Sequence, residues 1–423
     1  MVRPHIATLG KVVRHVTRLR GGGSAFPGLV VEKIDPHFTH DVLAGLPHGV
    51  VIISGTNGKT TTTKMTVELL ESQGFKVFTN RTGSNFSRGV TAAILGEIDY
   101  KGTLDADIAV LELDEAHAVK FVDTVQPRYS LLLNVMRDQL DRFGEIDTTA
   151  RMLEHIAHAT THSVVLNRED PRIAPIGDTL KGHTQAEYFG LSSELRPHFP
   201  SDDDMRSGTK SVETHDADVI LSAFEGSTAT FRFDNRDVAV PLKLRGIYNI
   251  YNAAAALTLT RAIAAERYNK KALLEALGNV EPAFGRGETV MLDGQAVELI
   301  LVKNPSGFRL ALESFSPESY ATMIAINDNY ADGRDMSWLW DVDFDSLRAS
   351  GVATISGIRA YDMALRLQYD EVEAAHVDTD IAAALRTFCH QHADSPKRIY
   401  CTYTAMLRLR ELLSKMTQVE KVL

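Results

Sequence analysis

VVIISGTNGKTTTTKMTVELLESQ, residues 50–73, decides the fold. VVIIS (50–54) is an unbroken apolar run rich in β-branched residues, the pattern of a strand buried on both faces. KTTTTKMTVELLESQ (59–73) reads as a helix, which makes GTNGKT (55–60) a strand-to-helix turn. Glycines there let backbone amides approach an anion, and the helix N-terminus adds its positive end. In such a loop Lys59 reaches the terminal phosphates of a nucleotide and Thr60 places a hydroxyl on Mg2+. The usual spacing, GxxxxGKT, wants a glycine at position 53, but the chain has Ile53 there and its nearest upstream glycine is Gly55. An ordinary turn with a surface lysine is the plainer reading. The position of Gly58-Lys59-Thr60 at a strand-helix junction argues against it.

Outward from this stretch, short apolar runs alternate with helical ones from about residue 48 to 290, as in a parallel α/β sheet. KVFTN (76–80), IAVLELD (108–114), YSLLLNV (129–135) and SVVLNRED (163–170) read as strands that end in polar residues. Ligand and catalytic groups of such sheets collect at those carboxyl ends. A polar stretch with proline, 192–216, reads as an excursion, and IYNIYNAAAALTLTRAIAAE (247–266) as a strong helix. A second α/β unit begins near VELILVKNP (297–305), continues through YATMIAIND (320–328) and VATISGIRA (352–360), and closes with a helix over 404–416.

At 423 residues the chain exceeds one ordinary core, so two domains are expected. With 44% hydrophobic and 24% charged residues it reads as a soluble globular protein of the α/β class. A net charge of −10 argues against non-specific nucleic-acid binding. A local basic stretch, Lys11, Arg14, Arg18 and Arg20, is either a solvated helix face or a face toward anionic lipid or pyrophosphate. No secretory signal and no apolar run long enough to span a bilayer is present, which places the chain in the cytoplasm, with a peripheral seat at the inner face of the plasma membrane the further option. The two cysteines, Cys389 and Cys401, make no disulfide framework, are too few for a four-cysteine zinc site, and lie in no strand-turn-helix elbow.

The acidic segment LELDEAH (111–117) supplies what a nucleotide-bound Mg2+ needs, since a hard cation takes oxygen ligands. Glu112 and Glu115 lie three apart, so one binds metal while the other positions a water or supports Lys59. A solvated acidic turn is the plain alternative.

GTNGKTTTT, LELDE, RDQLDRFGEID (137–147), GIYNIYNAAAA (246–256) and FGRGE (284–288) occur in the order found in Mur ligases, which the chain therefore resembles. The short GxxGKT loop is characteristic of that family. The resemblance implies a central ATP-binding parallel-sheet domain, 48–290, after an N-terminal extension, 1–47, with a smaller α/β domain, 291–423. It implies that Gly55, Thr56, Asn57, Gly58, Lys59, Thr60 and Thr61 bind ATP, that Thr60 and Glu112 hold Mg2+, and that Asn249, Asn252 and Arg286 complete the nucleotide site. Helix capping is the other reading of Asn249 and Asn252. Such enzymes activate a carboxylate as an acyl phosphate, which an amine then attacks.

Three departures matter. Only about 48 residues precede the loop, where other Mur ligases carry a domain for a uridine nucleotide, so a UDP-linked substrate is not expected. LVKNPSGF (301–308) replaces an Asp-x-His segment, and Gln139 stands where a histidine would help hold a second metal. GGGSAFPG (21–28), VKNPSGF, NDNYADGRDMSWLWDVDF (327–344) and SGIRAYDMALRL (356–367) resemble the MurT branch, the ligase-like subunits of lipid II isoglutaminyl synthase. That resemblance covers nearly the whole chain. It implies ATP-dependent amidation of the α-carboxylate of D-glutamate in the lipid II stem peptide, giving D-isoglutamine for peptidoglycan. Ammonia would come from glutamine through a GatD-type glutaminase subunit in a heterodimer. A Cys–His pair needs a third group to orient the imidazole, and the resemblance implies that this subunit lends an aspartate across the interface. Asp335 is the first choice, with Asp332 and Asp341 behind it; the plain reading is that Asp335 caps a helix starting at Met336. Trp338 and Trp340 belong at that interface or in the core. Some members carry a four-cysteine zinc ribbon, but 192–216 has no cysteine here, so no structural zinc is expected. The rival readings are an amino-acid-adding ligase of the Mur or folylpolyglutamate type and a non-catalytic ATP-binding scaffold.

Overall fold

The computed structural model describes residues 4–19, 26–80, 87–136, 146–196, 199, 215–244, 246–281 and 286–417. They form two compact units, one of residues up to Met136, Ile146–Lys243 and Asn249–Val280, the other built mainly from Glu281 onward.

Helices α1 (Pro4–Leu19), α2 (Phe26–Ile34) and α3 (Phe38–Leu43) precede the first strand. The first unit continues with β1 (Val50–Ser54), α4 (Lys59–Ser72), β2 (Val77–Thr79), α5 (Ser87–Glu97), β3 (Ile108–Glu112), α6 (Glu115–Val122), β4 (Tyr129–Leu132), α7 (Ile146–Ala159), β5 (Ser163–Asn167), the short α8 (Ile176–Thr179) and β6 (Gln185–Leu191). The extension over 1–47 is no bare tail. Its three helices pack on α5 and put Ile6, Ala7, Val31 and Phe38 into the same core as Val50, Ile52 and Leu111.

β1 and β3 are buried at every position, as apolar strands of a parallel sheet with both faces covered should be. Among the described residues the sheet has nine strands in the order β2-β3-β1-β4-β5-β6-β7-β8-β9, where β7 is Val219–Glu225, β8 Thr228–Phe233 and β9 Arg236–Pro241. It is parallel as far as β7 and then turns antiparallel. That edge departs from the all-parallel expectation. Its β8–β9 turn places Asp234 and Asn235 at φ 52° and 56°, the left-handed pair that suits a two-residue hairpin. Most of the 192–216 stretch lies outside the described residues. Helices α9 (Ile247–Ala264) and α10 (Lys270–Asn279) follow; α9 is buried almost all round, with Ala253 to Ala256 fully inside.

Among its described residues the second unit carries a six-stranded sheet of order β10-β11-β15-β12-β13-β14. These are Arg286–Leu292, Gln295–Leu301, Lys397–Cys401, Ala321–Ala325, Thr354–Ser356 and Val377–Asp378. β10 turns through Asp293-Gly294 (φ 49° and 81°) and pairs antiparallel with β11. The remaining pairs are parallel. One face of the sheet packs Phe308, Ile324, Phe344 and Tyr400; the other packs Leu299, Met323, Phe388 and Leu409. The helices are α11 (Pro305–Ser314), α12 (Ala360–Tyr369), α13 (Ile381–Gln391) and α14 (Tyr403–Leu413).

Candidate active site

The turn from β1 to α4 is shaped by what presses on its two glycines. Gly55 has φ +129°, and a Cβ there would stand 3.0 Å from the backbone N and 3.1 Å from the O of Asn134. Gly58, the residue before α4, has φ +90°, and a Cβ would stand 2.8 Å from both terminal atoms of the Asn252 amide. Only glycine fits such a position without strain. The loop therefore sits between the segment after β4 and the start of α9. Asn249 lies three residues before Asn252 on the same helix, half-buried, so the two share a face toward this loop. Asn252 is no cap, since it is buried within the helix, whereas Asn249 lies in its first turn.

Both residues between the glycines are held by one partner. The Thr56 N–H donates to the Asn134 carbonyl (3.0 Å) and the Asn57 N–H to Asn134 Oδ1 (2.8 Å), while Asn134 Nδ2 donates to the Asn57 carbonyl (3.0 Å). Donors toward an anion thus come from the first turn of α4 and its positive end, which begins at Gly58 and runs through Lys59, Thr60 and Thr61. The Thr61 hydroxyl is buried with no hydrogen-bond partner.

Lys59 is only 5% exposed. Its Nζ donates to the Gly55 carbonyl (2.5 Å) and lies 3.4 Å from Asp114 and 3.7 Å from Glu115. The Thr60 hydroxyl instead donates to Glu112 Oε1 at 2.8 Å. The two open roles in LELDEAH are thereby divided: Glu112 meets the hydroxyl, and Glu115 with Asp114 flanks the ammonium. Glu112 is fixed from behind, because Asn80 accepts from its N–H (3.0 Å) and donates to its carbonyl (2.8 Å). A hydroxyl and a carboxylate oxygen held together form a hard-donor pair that fits Mg2+ accompanied by phosphate and water.

In the second unit, Asp332 is buried and occupied. It accepts from the Thr404 N–H (2.7 Å), the Thr404 hydroxyl (2.5 Å) and the Asn329 N–H (3.1 Å), and its burial raises the carboxyl above the usual range. It thereby caps the first turn of α14. Asp335 is half-buried and accepts from the Ser337 N–H at 2.9 Å, a turn contact ahead of the 3-10 helix Ser337–Asp341 rather than the cap of a helix beginning at Met336. Asp341 closes that 3-10 helix, and its carbonyl accepts from Arg309. Trp338 is 5% exposed and packs in the core beside Phe308, whereas Trp340 is 49% exposed and stands edge-on to Tyr369. Asn304 caps α11, accepting from Gly307 N–H at 2.7 Å, which accounts for the Asn-Pro of LVKNPSGF. Burial pushes the Cys389 thiol up to about 11 and raises that of Cys401 as well. A nucleophilic cysteine needs its thiolate, so neither is activated.

A family model described as the Mur ligase middle domain matches residues 53–260, and one described as MurT ligase C-terminal matches 301–406. A curated relative from Streptococcus pneumoniae, "Lipid II isoglutaminyl synthase (glutamine-hydrolyzing) subunit MurT", is 31% identical over 97% of this chain and 97% of its own. The chain belongs to the MurT family of Mur ligases. A MurT of Staphylococcus aureus is 29% identical over 86% of this chain and 87% of its own. Among solved structures, MurF from Acinetobacter baumannii superposes with a TM-score of 0.68 at 19% identity, covering 92% of this chain and 80% of that one. A pseudomurein peptide ligase type C from Methanothermus fervidus gives 0.66 at 18%, covering 89% and 81%. The MurT chain is accordingly an ATP-dependent ligase of Mur-ligase fold.

The structure thus brings Gly55, Thr56, Asn57, Gly58, Lys59, Thr60, Thr61, Glu112, Glu115, Asn249 and Asn252 to one end of the first sheet. Arg286 lies in β10 with its side chain outside the described residues, as does all of Gln139. Asn80, Asp114, Asn134, Asn167 and Asp170 were not singled out from the sequence. Their signal is shared: most of them are polar residues at or just past the end of a buried strand (VFTN, LLLN, VVLN).

Proposed function

We propose that this MurT chain is the synthetase subunit of a lipid II isoglutaminyl synthase. In this reading it amidates the α-carboxylate of D-glutamate in the stem peptide, for peptidoglycan synthesis. The observation that carries the reading is the pairing of Thr60 with Glu112 beside a buried, acid-flanked Lys59, in a chain whose relatives of matching length bear that name. Lys59 and the first turn of α4 hold the polyphosphate of ATP, and Asn249 and Asn252 line its other side. Thr60 and Glu112 hold Mg2+, which when bound neutralises developing phosphate charge. The substrate carboxylate oxygen attacks the γ-phosphorus, forming an acyl phosphate and releasing ADP. Ammonia nitrogen then bonds to the carbonyl carbon as the C–O bond breaks, phosphate leaves with the electron pair, and nitrogen sheds a proton.

Ammonia is mostly protonated at neutral pH and so a poor nucleophile, which makes delivery from a GatD-type glutaminase subunit chemically reasonable. The relatives' names contain both "glutamine-hydrolyzing" and "subunit", and this chain's two cysteines are buried and unactivated. We place the docking face on the second unit, around Trp340 and Tyr369, with Asp335 lending its carboxylate to the partner's histidine. Of the three candidates, Asp332 is already bound to its own α14. A lipid-linked substrate would seat the complex at the inner face of the plasma membrane; no helix among the described residues is long and apolar enough to cross it.

The acyl phosphate is tested with lipid II labelled with heavy oxygen in the D-glutamate α-carboxylate. Heavy oxygen in the released phosphate is expected. Unlabelled phosphate accompanying amide formation would overturn the route.

A further inference from the structure

The GxxGKT loop has two residues between its glycines where the common phosphate loop has four, so less of its own chain is available to hold its shape. Its stiffness has to come from outside, and the structure shows the source. Asn134, buried just past the end of β4, takes the N–H of Thr56 and both the N–H and the carbonyl of Asn57. Two residues further, the Met136 N–H donates to the Thr56 hydroxyl at 3.0 Å. Asn134 is in turn braced from β5. Asn167 Nδ2 donates to the Leu133 carbonyl (2.8 Å), and Asn167 Oδ1 accepts from the Tyr251 hydroxyl (2.6 Å) of α9. On the other side of Asn134, the Val135 N–H donates to the buried Asp170 carboxylate at 2.6 Å, which also accepts from the N–H groups of Arg172 (2.9 Å) and Ile173 (3.2 Å).

We infer that Asn134, anchored by Asn167 and Asp170, is the positioning residue that sets the nucleotide loop in its binding shape. The inference rests on the nucleotide reading of GTNGKT. Asn134 touches no substrate; it acts through Asn57 and Thr56, keeping their amides turned away from the anion and the α4 turn aimed at it. The residues on either side of Asn134 are tied to the end of β5 and the turn after it, so the amide cannot swing away when an anion pulls on the loop. Both partners of Asn134 are backbone groups, so changing the loop's own side chains would not substitute for it.

The test uses the full-length chain with Mg2+ and ATP, reading affinity by calorimetry and amide hydrogen exchange residue by residue. Asn134→Ala removes two hydrogen bonds and is expected to weaken ATP binding roughly 10- to 30-fold. The Asn57 amide should lose protection while the β1 amides keep theirs, a pattern that general loosening of the fold would not give. Asp170→Asn, which replaces the Oδ2 acceptor of Val135 while keeping Oδ1 for Arg172 and Ile173, is expected to weaken binding less and in the same direction. Where Asn134→Ala does not fold, Asp170→Asn and the same two readings decide. ATP binding by Asn134→Ala equal to the parent chain, with Asn57 still protected, overturns the brace. A parent chain that binds no ATP, and is unaffected by Lys59→Ala, would instead overturn the nucleotide reading beneath it.

Discussion

Lys59 and Glu112 carry chemistry assigned to the nucleotide site, and each makes a separate demand. Lys59 is buried against a loop carbonyl and two acids, so Lys59→Ala leaves Asp114 and Glu115 without their cation as well as removing the phosphate contact. Amidation should fall by about 10²- to 10³-fold or more in a steady-state assay. Glu112→Gln keeps the shape and removes the charge; activity should need about tenfold more Mg2+, read from a metal titration at fixed ATP. An unchanged Mg2+ requirement would remove Glu112 from the metal site. Asp170 shows a different effect. Burial raises its carboxyl to about 6 from 3.8, against the opposing pull of three N–H donors. Since the folded state then binds the proton more tightly than the unfolded state, this group's contribution to stability is complete below about pH 4. It declines as the pH rises and levels off above about pH 6. The span is on the order of 3 kcal/mol. The melting temperature of the parent relative to Asp170→Asn should fall between those limits, and a pH-independent difference would refute the assignment.

At the scale of elements, the two tryptophans separate packing from recognition. Trp338 lies in the core with Phe308, so Trp338→Ala should cost about 3–5 kcal/mol in denaturant unfolding. Trp340 and Tyr369 stand exposed on the 3-10 helix and α12, so Trp340→Ala should leave stability nearly unchanged and weaken capture of the glutaminase. Equal partner affinity for the two proteins would move the docking face elsewhere. What the sequence displayed at this scale was periodicity. β1, β3, β4 and β5 are legible because strands buried on both faces are written as nearly unbroken apolar runs. The antiparallel edge β7-β8-β9 is not, because burial alternates along its half-exposed strands and they carry no long unbroken apolar run. Two left-handed pairs, Asp234-Asn235 and Asp293-Gly294, are the local hairpin signals of β8–β9 and β10–β11. Strand-end position marks Asn134, but its tie to Asn57 and that of Asp170 to Val135 join residues 77 and 35 apart, which no local pattern records. The cap expected for Asp335 resolved into a turn onto Ser337, since the segment is a short 3-10 helix.

At the scale of the whole molecule, the chain is two α/β units with the nucleotide loop in the first and the candidate glutaminase contacts in the second. This division of labour makes a prediction about dependence. Asp335→Asn should abolish or sharply reduce glutamine hydrolysis by the complex, while ammonium salts supplied directly should still support ATP-dependent amidation. Loss with both nitrogen sources would place Asp335 in the ligase chemistry or the fold instead. The most direct measurement of the function itself is mass spectrometry of lipid II after incubation with the chain, its glutaminase partner, ATP, Mg2+ and glutamine carrying heavy nitrogen in its side-chain amide. The expected result is heavy nitrogen in the α-carboxamide of D-isoglutamine, absent when Lys59→Ala replaces the parent chain. Unmodified lipid II, or a stem peptide extended by an amino acid, would contradict it.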